Sequence, residues 1–401
     1  MRKNLNTPLV DTLPPASSEA QAHSEKLKEA IHQEMTSANG MLTFARFMEL
    51  ALYAPGLGYY SAGARKFGEE GDFVTAPEIS PLFSRCLARQ CQAVLQSIGH
   101  GDILEFGAGT GTMASDVLLE LEQLGTLPGN YFILELSPDL RQRQQETLRR
   151  RVPQLFDCIQ WLDAMPLSGF KGVVLANEVV DAMPVHLVRF EEQSVREAFV
   201  SENKQGFIWQ EGPLSTPELQ QRIEAVQQNI SKETFCPGYT TEINLAQSGW
   251  ISSIGSMLEQ GVALIIDYGF PEHEYYHEER TMGTLMCHYR HHAHPDPLIL
   301  PGLQDITSHV DFTALATTAV EAGLDVMGYT SQAQFLLGCG IGEIIAEADP
   351  EDTRPYLELT QQVKKLTLPS EMGELFKVIA FGREVDIPLN GFMMQDRRHA
   401  L

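Results

Sequence analysis

The sequence predicts an α/β protein: a mostly parallel sheet covered by helices on both faces, with a helical N-terminal part and an inserted antiparallel subdomain. Three observations carry this. From residue 102 onward short apolar runs alternate with helical patterns, the arrangement of βαβ units. A glycine-rich turn, ILEFGAGTGTMASDVL, lies at the first strand-to-helix junction. After the fourth apolar run, residues 185–210 switch to period-two patterning with turn signals, which reads as antiparallel strands.

Residues 1–25 are polar, carry prolines and lack the apolar core of a secretion signal, so they read as disordered. Residues 24–36 and 41–53 have the spacing of short amphipathic helices, and ALYAPGLGYYSAG and KFGEEGDFVTAPEIS read as loops. Residues 80–98 show helical spacing behind Ser80 and Pro81, completing a helical region with lid loops over 26–98. A first half of the core spans 99–184. In it DILEFG (102–107), NYFILEL (130–136), CIQWL (158–162) and GVVLA (172–176) are strands, with helices at TMASDVLLELEQL and SPDLRQRQQETLRRRV. The inserted subdomain takes 185–240. The second half, 241–385, holds a helix around 241–260 and the strands GVALIIDYG (261–269), LDVMGYTSQ (324–332) and LFKVIAFGR (375–383). Residues 386–401 read as a tail.

With 401 residues and a hydrophobic fraction of 43%, the chain can bury a substantial core. No run approaches the ~18 to 20 apolar residues of a membrane span. A formal charge of −24 repels nucleic-acid backbones and favours a cationic partner. Cys86, Cys91, Cys158, Cys236, Cys287 and Cys339 are scattered without a C-x-x-C, so reduced thiols are expected. The expectation is a cytoplasmic bacterial protein, with a homodimer among the assemblies to test.

The glycine turn is the strongest local signal. Gly107, Gly109 and Gly111 let the chain turn sharply and let a ligand touch the backbone, and the helix that follows presents free N–H groups. A dinucleotide fingerprint would place its third glycine where Thr112 stands. The pattern is instead E-x-G-x-G-x-G, headed by Glu105. Glu135 ends the second strand, where an acid accepts both ribose hydroxyls of a nucleoside. Asp163 ends the third strand, in place to accept an adenine amino group. The plainer alternative is a turn that uses glycine for geometry alone.

The stretch VLANEVVDAMPVHLV raises a second question: an apolar run ends abruptly in Asn177 and Glu178, Asp181 follows within a turn, and Pro184 forbids a long helix. Strand ends of this kind carry the chemistry of α/β proteins. Two carboxylates match the planar donor fork of a guanidinium. Helix capping by Asn177, with Glu178 and Asp181 easing the N-terminal dipole, is the alternative. In GDFVTAPEIS, Asp72, Thr75 and Glu78 suit a lid over the ligand or an ordinary turn. His288, His291, His292 and His294 match no standard zinc set, so no metal is expected. Read as a strand, GLQDITSHVDF puts Asp305, Thr307, His309 and Asp311 on one face, either a substrate groove or a hydrogen-bonded edge.

The spacing of the glycine turn resembles motif I of class I S-adenosylmethionine methyltransferases, in which the acid holds the methionine amino group. Six blocks, FARFMELALYAPGLGYYS, FGEEGDFVTAPEISPLF, ILEFGAGTGTMASDVL, ANEVVDAMPV, IIDYG and PGLQDITSHVDFTAL, resemble the MidA family in the same order, over residues 38 to 385. The resemblance implies a class I methyltransferase Rossmann-like sheet. It implies S-adenosyl-L-methionine at Glu105, Gly107, Gly109, Gly111 and Glu135, with Asp163, Asp72 and Thr75 beside it. It also implies an acceptor at Asn177, Glu178 and Asp181. The family's mitochondrial member is a protein arginine methyltransferase needed for respiratory complex I assembly, so an arginine-bearing protein is the implied substrate. Methylation of a small amine or another side chain, and a non-catalytic assembly role, are the alternatives.

Overall fold

The computed structural model describes residues 13–62 and 75–401; Asp72 lies outside them. In chain order the strands are β1 (Met41–Thr43), β2 (Asp102–Phe106), β3 (Tyr131–Leu134), β4 (Ile159–Leu162), β5 (Phe170–Asn177), β6 (His186–Phe190), β7 (Val195–Asn203) and β8 (Gly206–Gly212). They continue as β9 (Thr240–Ile243), β10 (Leu258–Phe270), β11 (Met286–Tyr289), β12 (His292–His294), β13 (Asp305–Thr307), β14 (Val310–Asp311), β15 (Asp325–Ser331) and β16 (Phe376–Arg383). The described residues form two compact units: 75–181, 247–272 and 310–401 make one, and 13–62, 182–246 and 273–309 the other.

The larger unit is built on a sheet in the order β15-β16-β10-β5-β2-β3-β4, with β14 added beside the end of β10. Strands β10, β5, β2, β3 and β4 run parallel, and β16 is antiparallel to both β10 and β15. Central strands of such a sheet are covered on both faces and read as continuous apolar runs. Accordingly Val173, Val174 and Leu175 of β5 and Val262 to Ile266 of β10 are fully buried. Gly172 permits the close spacing at the start of β5: its φ is +144°, and a Cβ there would lie 1.8 Å from the Asp102 carbonyl oxygen. The helix Pro81–Ser97, capped by Ser80, and the helix Thr112–Gln123 cover the sheet with Phe83, Val94, Val117 and Leu121, all in one buried cluster. The residues expected as a tail are part of this packing. Leu389 and Phe392 are buried, and the Gly391 N–H donates to Gln90 Oε1 at 3.0 Å.

In the second unit β1, β7, β6 and β9 form an antiparallel sheet, with β8 on β7. The insertion expected at 185–240 therefore also recruits residues 41–43 and 240–243. Residues 41–43 had the look of helix, but pair with β7 because Thr43 is the cap of the helix Phe44–Tyr53, its Oγ1 accepting from the Arg46 N–H at 3.2 Å. The first helix starts at Ser18, inside the segment expected to be disordered, because Ser17 caps it and Ala20, Leu27, Ile31 and Met35 give it a buried face. A second, three-stranded sheet has the order β12-β11-β13.

GLQDITSHVDF is not one strand. It breaks into β13, paired with β11, and β14, paired with β10. Asp305 is fully buried and accepts from the Tyr60 hydroxyl at 2.9 Å, while Asp311 caps the helix Phe312–Glu321. The four polar residues thus do not line a single face. Among the described residues no helix is long and apolar enough to cross a membrane, and no group of His, Cys, Asp or Glu side chains is placed to hold a metal ion.

Candidate active site

The site residues collect at the C-terminal ends of the parallel strands, where a doubly covered sheet leaves room for ligands. β2 runs into the loop of Gly107, Gly109 and Gly111, with φ of +62°, +52° and +83°. Gly111 is the N-cap of the helix Thr112–Gln123 and supplies no side-chain cap to the helix's first N–H groups. A Cβ on Gly111 would come within 3.2 Å of Gln144 Cα, and one on Gly109 would meet nothing within 4 Å. The loop is thus packed on one side and open where the backbone is most accessible. Thr110 donates its hydroxyl to Glu78 and shares a 2.8 Å hydrogen bond with Thr112. Of the expected lid residues it is Glu78 that reaches the glycine loop. Thr75 heads the short helix Ala76–Ile79 and makes no side-chain cap.

Glu105, one residue before the end of β2, is 1% exposed. Its Oε2 accepts from the Tyr131 hydroxyl at 2.7 Å, and its Oε1 has no hydrogen-bond partner among the described residues. Burial raises its pKa to about 7, against the lowering effect of Tyr131, and the charge of Glu135 adds to the rise. Glu135 follows β3 and is held from two sides. Its Oε1 accepts from the Ser137 N–H at 2.8 Å, and its Oε2 accepts from Gln144 Nε2 at 2.9 Å. Gln144 is fully buried in the helix Pro138–Arg151; the same Nε2 donates to the Gly109 carbonyl, and its Oε1 accepts from the Trp161 indole N–H at 2.9 Å. One amide therefore ties the glycine loop, the acid after β3 and strand β4 together. Glu135, Leu136, Pro138, Arg141, Gln142, Gln145 and Asp163 line a pocket of about 530 Å³. Asp163 lies at its rim, 89% exposed and paired with Arg141 at 2.7 Å.

The turn after β5 is the second part of the site. The Asn177 amide donates to Glu178 Oε1 at 3.2 Å, and its own Oδ1 is buried with no hydrogen-bond partner among the described residues. Glu178 has φ of +52°, a left-handed conformation uncommon for a side chain of its size, and its N–H donates to the Ile266 carbonyl at 2.9 Å. Asp181 is 2% exposed, with its Oδ2 accepting from the Tyr268 hydroxyl at 2.5 Å. Beneath the turn lies Asp267, fully buried on β10. It accepts from the N–H groups of Val180, Asp181 and Tyr268 at 2.9, 3.2 and 2.9 Å. Burial first, and then the charges of Asp181 and Glu178, push its pKa well above the usual carboxylate range. Asn177, Glu178 and Asp181 thus stand on one turn over Asp267. Asp267, Tyr268, Tyr131 and Gln144 were missed. For Asp267 and Tyr268 the available signal was the block IIDYG, an apolar strand ending in an acid.

A parallel α/β core with an acid-headed glycine loop, a second acid after the next strand and a pocket lined by that second acid defines a class I S-adenosylmethionine-dependent methyltransferase. Glu105 Oε1 and the open face at Gly109 suit an ammonium and a backbone-hugging ligand. The chain belongs to the family described as "Putative S-adenosyl-L-methionine-dependent methyltransferase", which matches residues 86–330. It is 30% identical to the mitochondrial protein arginine methyltransferase NDUFAF7 of Rattus norvegicus, covering 86% of this chain and 81% of that one. The Danio rerio protein of the same name is 29% identical over 88% of this chain and 87% of its own length. A crystal structure from Burkholderia thailandensis bound to S-adenosyl-homocysteine superposes with a TM-score of 0.91 at 47% identity, covering 97% of this chain and 100% of that one. The chain is therefore an enzyme that uses S-adenosyl-L-methionine, in line with the MidA resemblance.

Proposed function

We propose that this enzyme methylates arginine in a protein substrate. The observation that carries the reading is the acidic set at the ends of β5 and β10, where the Glu178 and Asp181 carboxyls stand on a largely buried turn above Asp267. Such a set is stabilised by a cation, and a guanidinium offers a fork of donors that suits carboxylates. The names of the relatives support the same acceptor. The bound cofactor supplies an electrophilic methyl group. Glu105 and the loop of Gly107, Gly109 and Gly111 hold its amino-acid end, Glu135 its ribose, and Asp163 with Leu136 its base. Thr75 and Asp72 belong to the segment leading to Glu78 on that loop. Glu178, the more exposed acid of the turn, orients the guanidinium directly. Asp181, closed in by Tyr268, contributes charge and fixes the turn, and Asn177 supports Glu178.

The test is transfer of labelled methyl groups from S-adenosyl-L-methionine into a host lysate, followed by identification of the labelled residue. Label on arginine of one or a few proteins, lost with Asp181→Asn while S-adenosylhomocysteine still binds, is the expected result. Label on another residue or on a small amine overturns arginine as the acceptor. So does absence of label despite cofactor binding.

A further inference from the structure

We infer that Asp267 is a positioning residue: it clasps the turn after β5 through backbone N–H groups and so sets the direction in which Glu178 meets the acceptor. The inference rests on the arginine reading for what the turn holds, but its geometry stands alone. A left-handed residue such as Glu178 costs free energy and persists only where its surroundings over-determine it. Here the surroundings are specific. The Glu178 N–H is fixed to Ile266 on β10, and two residues later the Val180 and Asp181 N–H groups converge on one oxygen of Asp267. The other oxygen accepts from the Tyr268 N–H, which fixes the rotation of the carboxyl group. Tyr268 then closes the loop from the side-chain end by donating to Asp181. Two successive residues of β10 thus hold the turn, one by its backbone and one by its side chain.

The charged groups that face Asp267 come from two elements. Asp181 and Glu178 stand on the turn itself. From β16, Lys377 is in register with Asp267, and its ammonium donates to the Glu374 and Leu375 carbonyls. Asp267 is fully buried, so it acts on the acceptor only through the turn. Left-handed Glu178 has its side chain displaced from the line that β5 would impose. Releasing the clasp would let the carboxylate swing, and displacement of about 1 Å is enough to cost on the order of 100-fold in rate.

The experiment uses the full chain in three forms, wild type, Asp267→Ala and Asp267→Asn, with three readouts. The first is amide hydrogen exchange of the peptide spanning 177–182. The second is S-adenosylhomocysteine affinity by calorimetry. The third is the rate of labelled methyl transfer into lysate. Asp267→Ala should exchange the Val180 and Asp181 amides at least about tenfold faster. It should transfer methyl about 100-fold more slowly, and bind S-adenosylhomocysteine within about twofold of wild type. Asp267→Asn keeps an oxygen for Val180 and Asp181 and should recover at least about tenfold of the lost rate. Unchanged exchange in Asp267→Ala overturns the clasp whatever the acceptor proves to be. An Asn variant as slow as the Ala variant overturns it in favour of a role for the charge. Loss of cofactor affinity together with rate overturns the division of labour. If Asp267→Ala does not fold, Asp267→Asn with Tyr268→Phe decides: a rate within about twofold of wild type when the second clasp is removed overturns the proposal. Failure of wild type to label arginine would sink the acceptor reading while the exchange measurement still judged the clasp.

Discussion

Glu105 on β2 and Asp267 on β10 invite comparison. Both are acids at the ends of parallel strands, both are almost wholly buried, and burial pushes both upward in pKa. Asp267 accepts three backbone N–H groups; Glu105 accepts one tyrosine hydroxyl and keeps an oxygen without a partner among the described residues. Buried polar groups are normally satisfied, and one that is not calls for an explanation. A carboxyl filled from its own backbone belongs to the scaffold. A carboxyl with acceptor capacity left over is suited to a donor that arrives with the ligand. The same residue chemistry, on two strands of one sheet, thus divides into support and recognition according to where its hydrogen bonds come from.

The comparison breaks most readily at Glu178, which the Asp267 clasp supports. Glu178→Gln should slow methyl transfer by about 100-fold or more while S-adenosylhomocysteine affinity, measured by calorimetry, stays within about twofold. A wild-type rate would leave the clasp with nothing to position. Next in size is Glu105→Gln, which should weaken S-adenosylhomocysteine by about 10- to 100-fold, the worth of one charge-assisted bond. An unchanged affinity would put Glu105 in the same class as Asp267.

The raised pKa of Glu105, about 7, sharpens the contrast through pH. Its folded value lies above the 4.5 of an ordinary Glu, so the folded protein holds this proton longer than the unfolded chain. Its contribution to stability is therefore fully present below about pH 4.5 and falls away between there and 7, by on the order of 3 kcal/mol. Affinity for the ligand's ammonium runs the other way and should rise with pH through about 7. Thermal unfolding and calorimetry across this range check both signs, and Glu105→Gln should flatten both curves. Tyr131→Phe removes the hydroxyl that donates to Glu105, should cost about 1 kcal/mol, and should move the affinity midpoint to higher pH. The smallest effect is expected for Asp163→Asn. Its ion pair with Arg141 is solvent-screened, so stability should change by less than about 1 kcal/mol in chemical unfolding.

Much of the core was legible because its signals are local. The glycine loop, the apolar strands and the acids that end them depend on neighbours within a few residues. Even the weak strand at 158–162 appears as β4, parallel to β3. What stayed hidden depends on partners distant in sequence. Tyr131 and Glu105 are 26 residues apart, and Val180 and Asp267 are 87. No periodicity records such pairs. Residues 41–43 needed the edge of β7 to become a strand, and Asp305 and Asp311 parted because the chain leaves one sheet for another between them. The direction of Asp181 was also beyond reach, since its closure by Tyr268 follows from the register of β10 against β5.

Gln144 has one more consequence. Of the three tryptophans, Trp161 is wired through this single amide to Glu135 and to the glycine loop. Indole emission responds to the hydrogen bond at its nitrogen, so the protein carries its own optical gauge of the nucleoside end of the site. Titration followed in the fluorimeter, with Trp209 and Trp250 replaced by Phe, would follow occupancy in real time without any label.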